Sequence, residues 1–171
     1  MIRTDIIIIG AGPTGLFAVF EAGLLKLKCH LIDALPQAGG QCSEIYPKKP
    51  IYDIPGFPEI LAGDLTRNLL EQCKQFEPGF TLGERAENIT KDKNGIFTVI
   101  TNKGTQHQAP VVAIAGGLGS FEPRKPMLEN INFYEGKGLE YIIKDPEIYY
   151  FIAEPFGIFK TIRLGDAQEY E

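Results

Sequence analysis

Asp5-Ile6-Ile7-Ile8-Ile9-Gly10-Ala11-Gly12-Pro13-Thr14-Gly15 opens the stretch that decides the fold, and the stretch closes 18 positions later at Asp33. Four isoleucines read as a buried strand, and the glycine turn follows at once. Leu16 to Leu25 is apolar and suits a helix, and His30-Leu31-Ile32 forms a second short run that ends on the acid. The order is strand, glycine turn, helix, strand, carboxylate. In such a unit Gly10 makes the tight turn, Gly12 lets backbone approach a pyrophosphate, and Gly15 lets the helix pack close to the strand. The phosphates would rest on the unpaired N–H groups and positive end of the helix. Asp33 falls where the second strand should offer an acceptor to a ribose hydroxyl. A lone GxGxxG is a weak signal, but strand, helix and acid in register with it define a dinucleotide site.

Around this unit the composition sets limits. With 171 residues, 44% of them hydrophobic, the chain can bury one substantial core and not two large ones. A net charge of -5 and the lack of a basic cluster argue against a nucleic-acid surface; Lys48-Lys49 and Arg124-Lys125 read as solvated pairs. No apolar run reaches the ~20 residues needed to cross a bilayer. The N-terminus enters a strand directly, so no secretory signal is expected. Cys29, Cys42 and Cys73 are odd in number and far apart, without CxxC or metal spacing, and read as reduced thiols of a cytoplasmic protein. No metal site is expected.

Beyond Asp33 the sequence is rich in turns through Pro36, Gly39-Gly40-Gln41, Tyr46-Pro47 and Ile54-Pro55-Gly56-Phe57-Pro58. Long aperiodic segments are usually functional or disordered, and the interleaved Tyr46, Tyr52 and Phe57 argue for an ordered loop. Asp64 is a candidate cap for a helix whose apolar face carries Leu65, Leu69, Leu70, Cys73 and Phe76. Turns at Lys93-Asn94-Gly95 and Asn102-Lys103-Gly104 bracket the strand Phe97-Thr98-Val99-Ile100 and predict a small antiparallel meander over about 84–109. Val111 to Ala115 reads as a buried strand returning to the parallel sheet. Gly116-Gly117-Leu118-Gly119 after it lacks a following helix, so it is either a bare turn or a strand end that brings backbone close to a ligand; the dinucleotide unit favours the second. His30 and His107 have no partner that would indicate catalysis. Cys42 beside Gln41 reads as a small buried hydrophobe.

The loop and later segments carry a family resemblance. Gly39-Gly40-Gln41, Ile45-Tyr46-Pro47-Lys48-Lys49, Ile51 to Pro58, Ala115 to Arg124 and Tyr134-Glu135-Gly136-Lys137-Gly138-Leu139 together resemble the thioredoxin-reductase-like ferredoxin–NADP reductases, over roughly residues 4 to 146. These are flavoproteins of the pyridine-nucleotide–disulfide oxidoreductase group, in which the first GxGxxG binds FAD. The resemblance implies an FAD site built on Gly10, Gly12, Pro13, Thr14, Gly15 and Asp33. Gly40 and Gln41 would lie against the flavin, with Tyr46 stacked on the isoalloxazine. Ala86 would lie near the adenine, and Gly116 and Phe121 near the flavin. It also implies NADP(H) as co-substrate, ferredoxin or a similar iron–sulfur carrier as partner, and a homo-oligomer, a dimer. For Tyr46, stacking suits two flat polarizable rings. Gln41 offers both donors and acceptors, though it would serve equally to bridge loop backbone.

The resemblance stops short in one respect. Family members interrupt the FAD domain with an NADP domain that has its own glycine turn, and no second strand–glycine–helix unit follows Pro146. The expectation is therefore an α/β fold: a Rossmann-like FAD-binding domain over 1–146, with a parallel sheet plus the meander, and a tail over 147–171. The NADP domain is expected to be absent. Gly165-Asp166, with Tyr170 beyond, resembles the turn by which the family's returning segment touches FAD. No CxxC is present for a redox disulfide, and hydride transfer requires no acid, base or nucleophile from the protein. Two other readings stay open: a non-catalytic module that binds FAD or another dinucleotide, and a different thioredoxin-reductase-like flavoprotein.

Overall fold

The computed structural model describes residues 1–120, 127, 130–134, 139, 149–153 and 159–163. The chain divides into two compact units, Met1–Arg124 and Lys125–Glu171. The first begins with β1 (Ile2–Arg3) and β2 (Ile6–Ile9), followed by α1 (Pro13–Leu24), β3 (Cys29–Asp33), α2 (Gln41–Glu44), β4 (Pro50–Ile51) and β5 (Ile60–Leu61). α3 (Ala62–Lys74), β6 (Gly79–Leu82), β7 (Ala86–Lys91), β8 (Phe97–Thr101), β9 (Gln106–Ala109) and β10 (Val111–Ile114) complete it. In the second unit α4 (Ile131–Tyr134) precedes an antiparallel pair, β11 (Tyr149–Ala153) and β12 (Phe159–Arg163), in which Phe151 faces Thr161. The expected turn at Gly165-Asp166 lies outside the described residues.

The short antiparallel pair β4-β5 and two four-stranded sheets lie in the first unit. One is parallel, in the order β10-β2-β3-β6; the other has the order β1-β9-β8-β7, antiparallel except where β1 runs parallel to β9. Because side chains alternate across a strand, the four isoleucines of β2 serve two cores. Ile8, with Leu31 and Cys29 of β3, packs against Leu16, Val19 and Ala22 of α1 and Cys73 of α3. Ile7, with Ile32, packs against Val99 and Ala109 of the meander. The result is three layers of helices, parallel sheet and meander, as the α/β pattern requires.

Glycine sets the spacing between these layers. A Cβ built on Gly15 would lie 2.0 Å from the Gly10 carbonyl oxygen, and one on Gly23 would lie 2.2 Å from Phe76 Cγ. Gly23 thus lets the Phe76 ring, which follows α3, seat on α1, where it also meets Phe20 edge-on at 5.7 Å between centroids.

Two local readings are corrected, and one strand is added. Asp64 does not cap α3: Leu61 holds the N-cap position, because β5 runs straight into the helix. Asp64 sits instead in the first turn, suited to the helix dipole, and pairs with Arg67 at 2.8 Å. Val111 to Ala115 does return to the parallel sheet, but β10 is an edge strand, with Val111 48% and Ile114 75% exposed. An apolar run marks a strand without marking its place in the sheet. Gly79-Phe80-Thr81-Leu82, not singled out from sequence, forms β6 at the opposite edge. Among the described residues no helix is long and apolar enough to cross a membrane.

Alanine in place of an unconstrained helical glycine stabilises by about 0.5–1 kcal/mol. Gly15→Ala is expected to do the reverse, because backbone already occupies the methyl position. Thermal unfolding of the variant should show a lower midpoint; a higher one would mean that the turn and helix are further apart than described.

Candidate functional site

The glycine turn, the loop after β3 and the second glycine cluster enclose a cleft of about 730 Å³ at the carboxyl ends of β2, β3 and β10. Open α/β sheets bind ligands at this position. From the turn, Gly10, Gly12, Pro13 and Thr14 line it; Asp33 lines it from the end of β3. Gln41 and Tyr46 come from the loop, and Ala115 and Gly116 to Gly119 from the end of β10.

Contact between backbones builds this cleft. Gly10 has φ +108°, and a Cβ there would fall 2.2 Å from the Ala115 carbonyl oxygen. The bond from Ala115 N–H to the Ile9 carbonyl, 2.7 Å, closes the same approach. On the other side Gly39 N–H donates to the Ala11 carbonyl at 2.8 Å, and a Cβ on Gly40 (φ +56°) would stand 3.1 Å from Gly12 Cα. Gly15 and Gly40 therefore do not line the cleft; they let its walls meet. The second glycine cluster also reaches the loop, since a Cβ on Gly117 would lie 3.5 Å from Gln41 Nε2.

α1 begins with Pro13 in its first turn, no side-chain cap at Gly12, and no acidic residue in that turn. Its N-terminal N–H groups and dipole thus have neither a side-chain cap nor a first-turn acid to satisfy them. Asp33 does more than the sequence reading gave it. Its Oδ2 accepts the Ala11 N–H at 2.6 Å and its Oδ1 accepts the Leu35 N–H at 2.9 Å. The carboxylate thereby pins the glycine turn to the end of β3, and each oxygen keeps a further lone pair.

Tyr46 and Cys42 are coupled. Burial raises the Cys42 thiol above its ordinary pKa, partly opposed by a hydrogen bond with Tyr46. Burial, then the Cys42 sulfur, raises the Tyr46 hydroxyl. Both are neutral at pH 7, so the thiol is a packing group here rather than a nucleophile. Lys49 Nζ lies 5.2 Å from the Tyr46 ring centroid, and a smaller cavity of about 450 Å³ adjoins along Pro13, Cys42 and Tyr46.

Ala86 does not line the cleft. It starts β7 and packs against the cluster of Ile7, Ile32, Val99 and Ala109, two positions beyond Glu84, whose N–H bonds the Asp33 carbonyl at 3.0 Å. Phe121 lies outside the described residues. The apolar lining from Leu35, Ile45 and Leu118 was not singled out in the sequence; nothing distinguishes such residues from core until the loop is folded. Among the described residues no cluster of metal-ligating side chains occurs.

This architecture is that of a layered α/β fold with a glycine turn at the carboxyl end of its parallel sheet. The thioredoxin reductase of Streptococcus pyogenes superposes with a TM-score of 0.59 at 23% identity, over 77% of this chain and 40% of that one. That of T. acidophilum gives 0.59 at 23%, over 81% and 42%. No family model matches the sequence. Curated relatives are far nearer in sequence: ferredoxin–NADP reductase 1 of Christiangramia forsetii is 77% identical over 149 residues, 87% of this chain and 42% of the relative. The ferredoxin–NADP reductase of Flavobacterium johnsoniae is 76% identical over 147 residues, 86% and 42%. The chain is similar to the ferredoxin–NADP reductases in sequence and to thioredoxin reductases in fold, and it spans about two-fifths of the length of the curated relatives it matches.

Because Asp33 holds two backbone N–H groups, Asp33→Ala should cost fold stability as well as ligand affinity. Bonds to a charged group contribute about 1.5–3 kcal/mol. Urea unfolding of the ligand-free variant measures the first effect, and a variant as stable as the parent would remove the pinning role.

Proposed function

We propose that the cleft holds FAD and that this chain is the flavin-holding part of a ferredoxin–NADP reductase. The observation that carries the reading is the convergence on one cleft of an uncapped helix N-terminus, a strand-end carboxylate and an aromatic loop. Gly10, Gly12, Pro13 and Thr14 take the pyrophosphate on α1, with Gly15 holding the helix close. The free lone pairs of Asp33 accept the ribose hydroxyls. Gly40 shapes the loop that presents Gln41 and Tyr46 to the isoalloxazine, with Gly116 bordering the ring. Lys49 occupies one face of Tyr46, which leaves the other for stacking.

When bound, FAD converts a hydride donor's electron pair into single electrons for an iron–sulfur carrier. The protein's part is to bind, orient and shield; no side chain acts as acid, base or nucleophile. In the complete protein NADPH is the donor and ferredoxin or a similar carrier the acceptor, matching the relatives' names. Three free, buried cysteines are consistent with a reducing, cytoplasmic setting. The exposed β10 edge favours a homo-oligomer, a dimer.

Nucleotide extracted from freshly purified protein should be FAD on chromatography; NAD alone would overturn the assignment. Tyr46→Ala should weaken flavin binding by about 0.5–1.5 kcal/mol beyond the area lost, read by fluorescence titration.

A non-catalytic FAD module is the second reading for this stretch, because it spans two-fifths of its relatives. The residues matched to those relatives contain one glycine turn, enough for one dinucleotide. Without a surface to hold the nicotinamide, a positioning contribution of ~7–11 kcal/mol is missing. This chain alone, mixed with micromolar NADPH without oxygen, should therefore bleach its flavin very slowly. Fast bleaching would mean that these residues also seat the nicotinamide.

A further inference from the structure

The two histidines in the sequence meet inside the first unit. His30 on β3 and His107 on β9 come from different sheets, and both are buried, His107 completely. His30 Nε2 lies 2.8 Å from Thr81 Oγ1 of β6, and the same oxygen lies 2.9 Å from His107 Nε2. The imidazole centroids are 4.9 Å apart. Gly79 makes the niche, since a Cβ there would fall 2.1 Å from His30 Nδ1. By strand alternation His30 points to the same side of the parallel sheet as Ile32, so this polar chain continues the apolar layer of Ile7, Ile32, Val99 and Ala109.

We infer that the His30–Thr81–His107 chain is an acid-sensitive fastening between the two sheets, which holds only while both imidazoles are neutral. Thr81 has one hydroxyl proton. With that proton used inside the chain, Thr81 donates to one Nε2 and accepts N–H from the other, an arrangement in which the two rings hold opposite tautomers. A proton added to the accepting ring turns both Nε2 atoms into donors toward one oxygen and sends the Thr81 proton elsewhere. His107 Nδ1 has no hydrogen-bond partner, and burial makes a proton added to this ring costly, a cost that Glu84 and the Val99 backbone reduce without removing. A second proton would set two cations 4.9 Å apart in the core.

The surroundings do not offset these costs. The groups that face the pair are each imidazole toward the other, Glu84 beyond β6 and the α-amino group of Met1 ahead of β1. β2 contributes the apolar Ile7 opposite His30 in register, and β8 the backbone of Val99 opposite His107. Burial first, then His107, lowers His30 from 6.5 to about 4. Burial also lowers His107, against the opposing pull of Glu84 and the Val99 carbonyl. Both histidines bind protons more readily unfolded than folded. The His30 contribution is therefore fully present above about pH 6.5 and is lost as pH falls from there toward about 4, and the His107 contribution is lost in the same direction. The cleft shares this joint, because Thr81 is followed by Leu82, the register partner of Asp33, and Gly83 N–H bonds the Leu35 carbonyl.

Urea unfolding of the ligand-free chain at pH 7.5 and pH 5 is the test. From His30 alone the folded-to-unfolded ratio should fall roughly 30-fold between the two. The double variant His30→Gln/His107→Gln leaves no imidazole, so its fall should be smaller by at least that factor, with carboxylates accounting for the rest. An equal fall in both proteins overturns the inference. Should the double variant not fold, NMR titration of the two imidazoles in the unmodified chain decides. Rings that stay neutral down to pH 5 in the folded protein sustain the inference; titration near 6.5 ends it.

Discussion

Between Gly10 and Ala115 there is no room for a side chain. The turn after β2, the start of α1 and the end of β10 are packed backbone to backbone, with hypothetical Cβ positions 2.0–2.2 Å from carbonyl oxygens at Gly15 and Gly10. Everything in the cleft depends on that approach. It places the open end of α1 beside the second glycine cluster, and it brings the Gly39–Gln41 loop within hydrogen-bonding reach of the turn. Asp33 then locks the arrangement by gripping Ala11 from the neighbouring strand. The site is thus made of main chain first, and its side chains are added to a frame that already has the right width.

This explains what could be read in the sequence. Glycines that permit close backbone approach leave a mark in the chain itself, so the turn, its helix, the carboxylate and the second cluster were all legible. Tyr46 and Gln41 were legible because they sit among turn residues, where nothing in periodicity accounts for them. β6 was missed, since four residues led by a glycine carry little alternation to detect. The exposure of β10 was missed for a different reason: Val111 and Ile114 are as apolar as any core residue, and only sheet order reveals that no strand among the described residues lies beyond them. Asp33's grip on Ala11 and Leu35 was hidden because a ligand-facing acid and a loop-pinning acid look alike in one dimension.

The histidines show the limit more sharply. They stand 77 positions apart in sequence and belong to different sheets. Neither has a neighbour in sequence that signals its partner. Only the stacking of meander on parallel sheet brings them together, with Thr81 supplying the hydroxyl that both need.

The register of β2 has a consequence for the order in which the protein takes shape. One neighbour, β3, begins 23 positions downstream of Ile6, so the first strand, α1 and the phosphate turn can assemble from a short length of chain. The other neighbour pairs Ile6 with Val111, 105 positions away. Parallel contacts of such separation carry a large loop-closure entropy and tend to form late. On the ribosome the turn would emerge long before Ala115 and the second glycine cluster, leaving one wall of the cleft missing while the rest of the sheet is still being made. A nucleotide can then be enclosed only after the meander has been synthesised and folded back, so cofactor loading is tied to the completion of the unit rather than to its beginning.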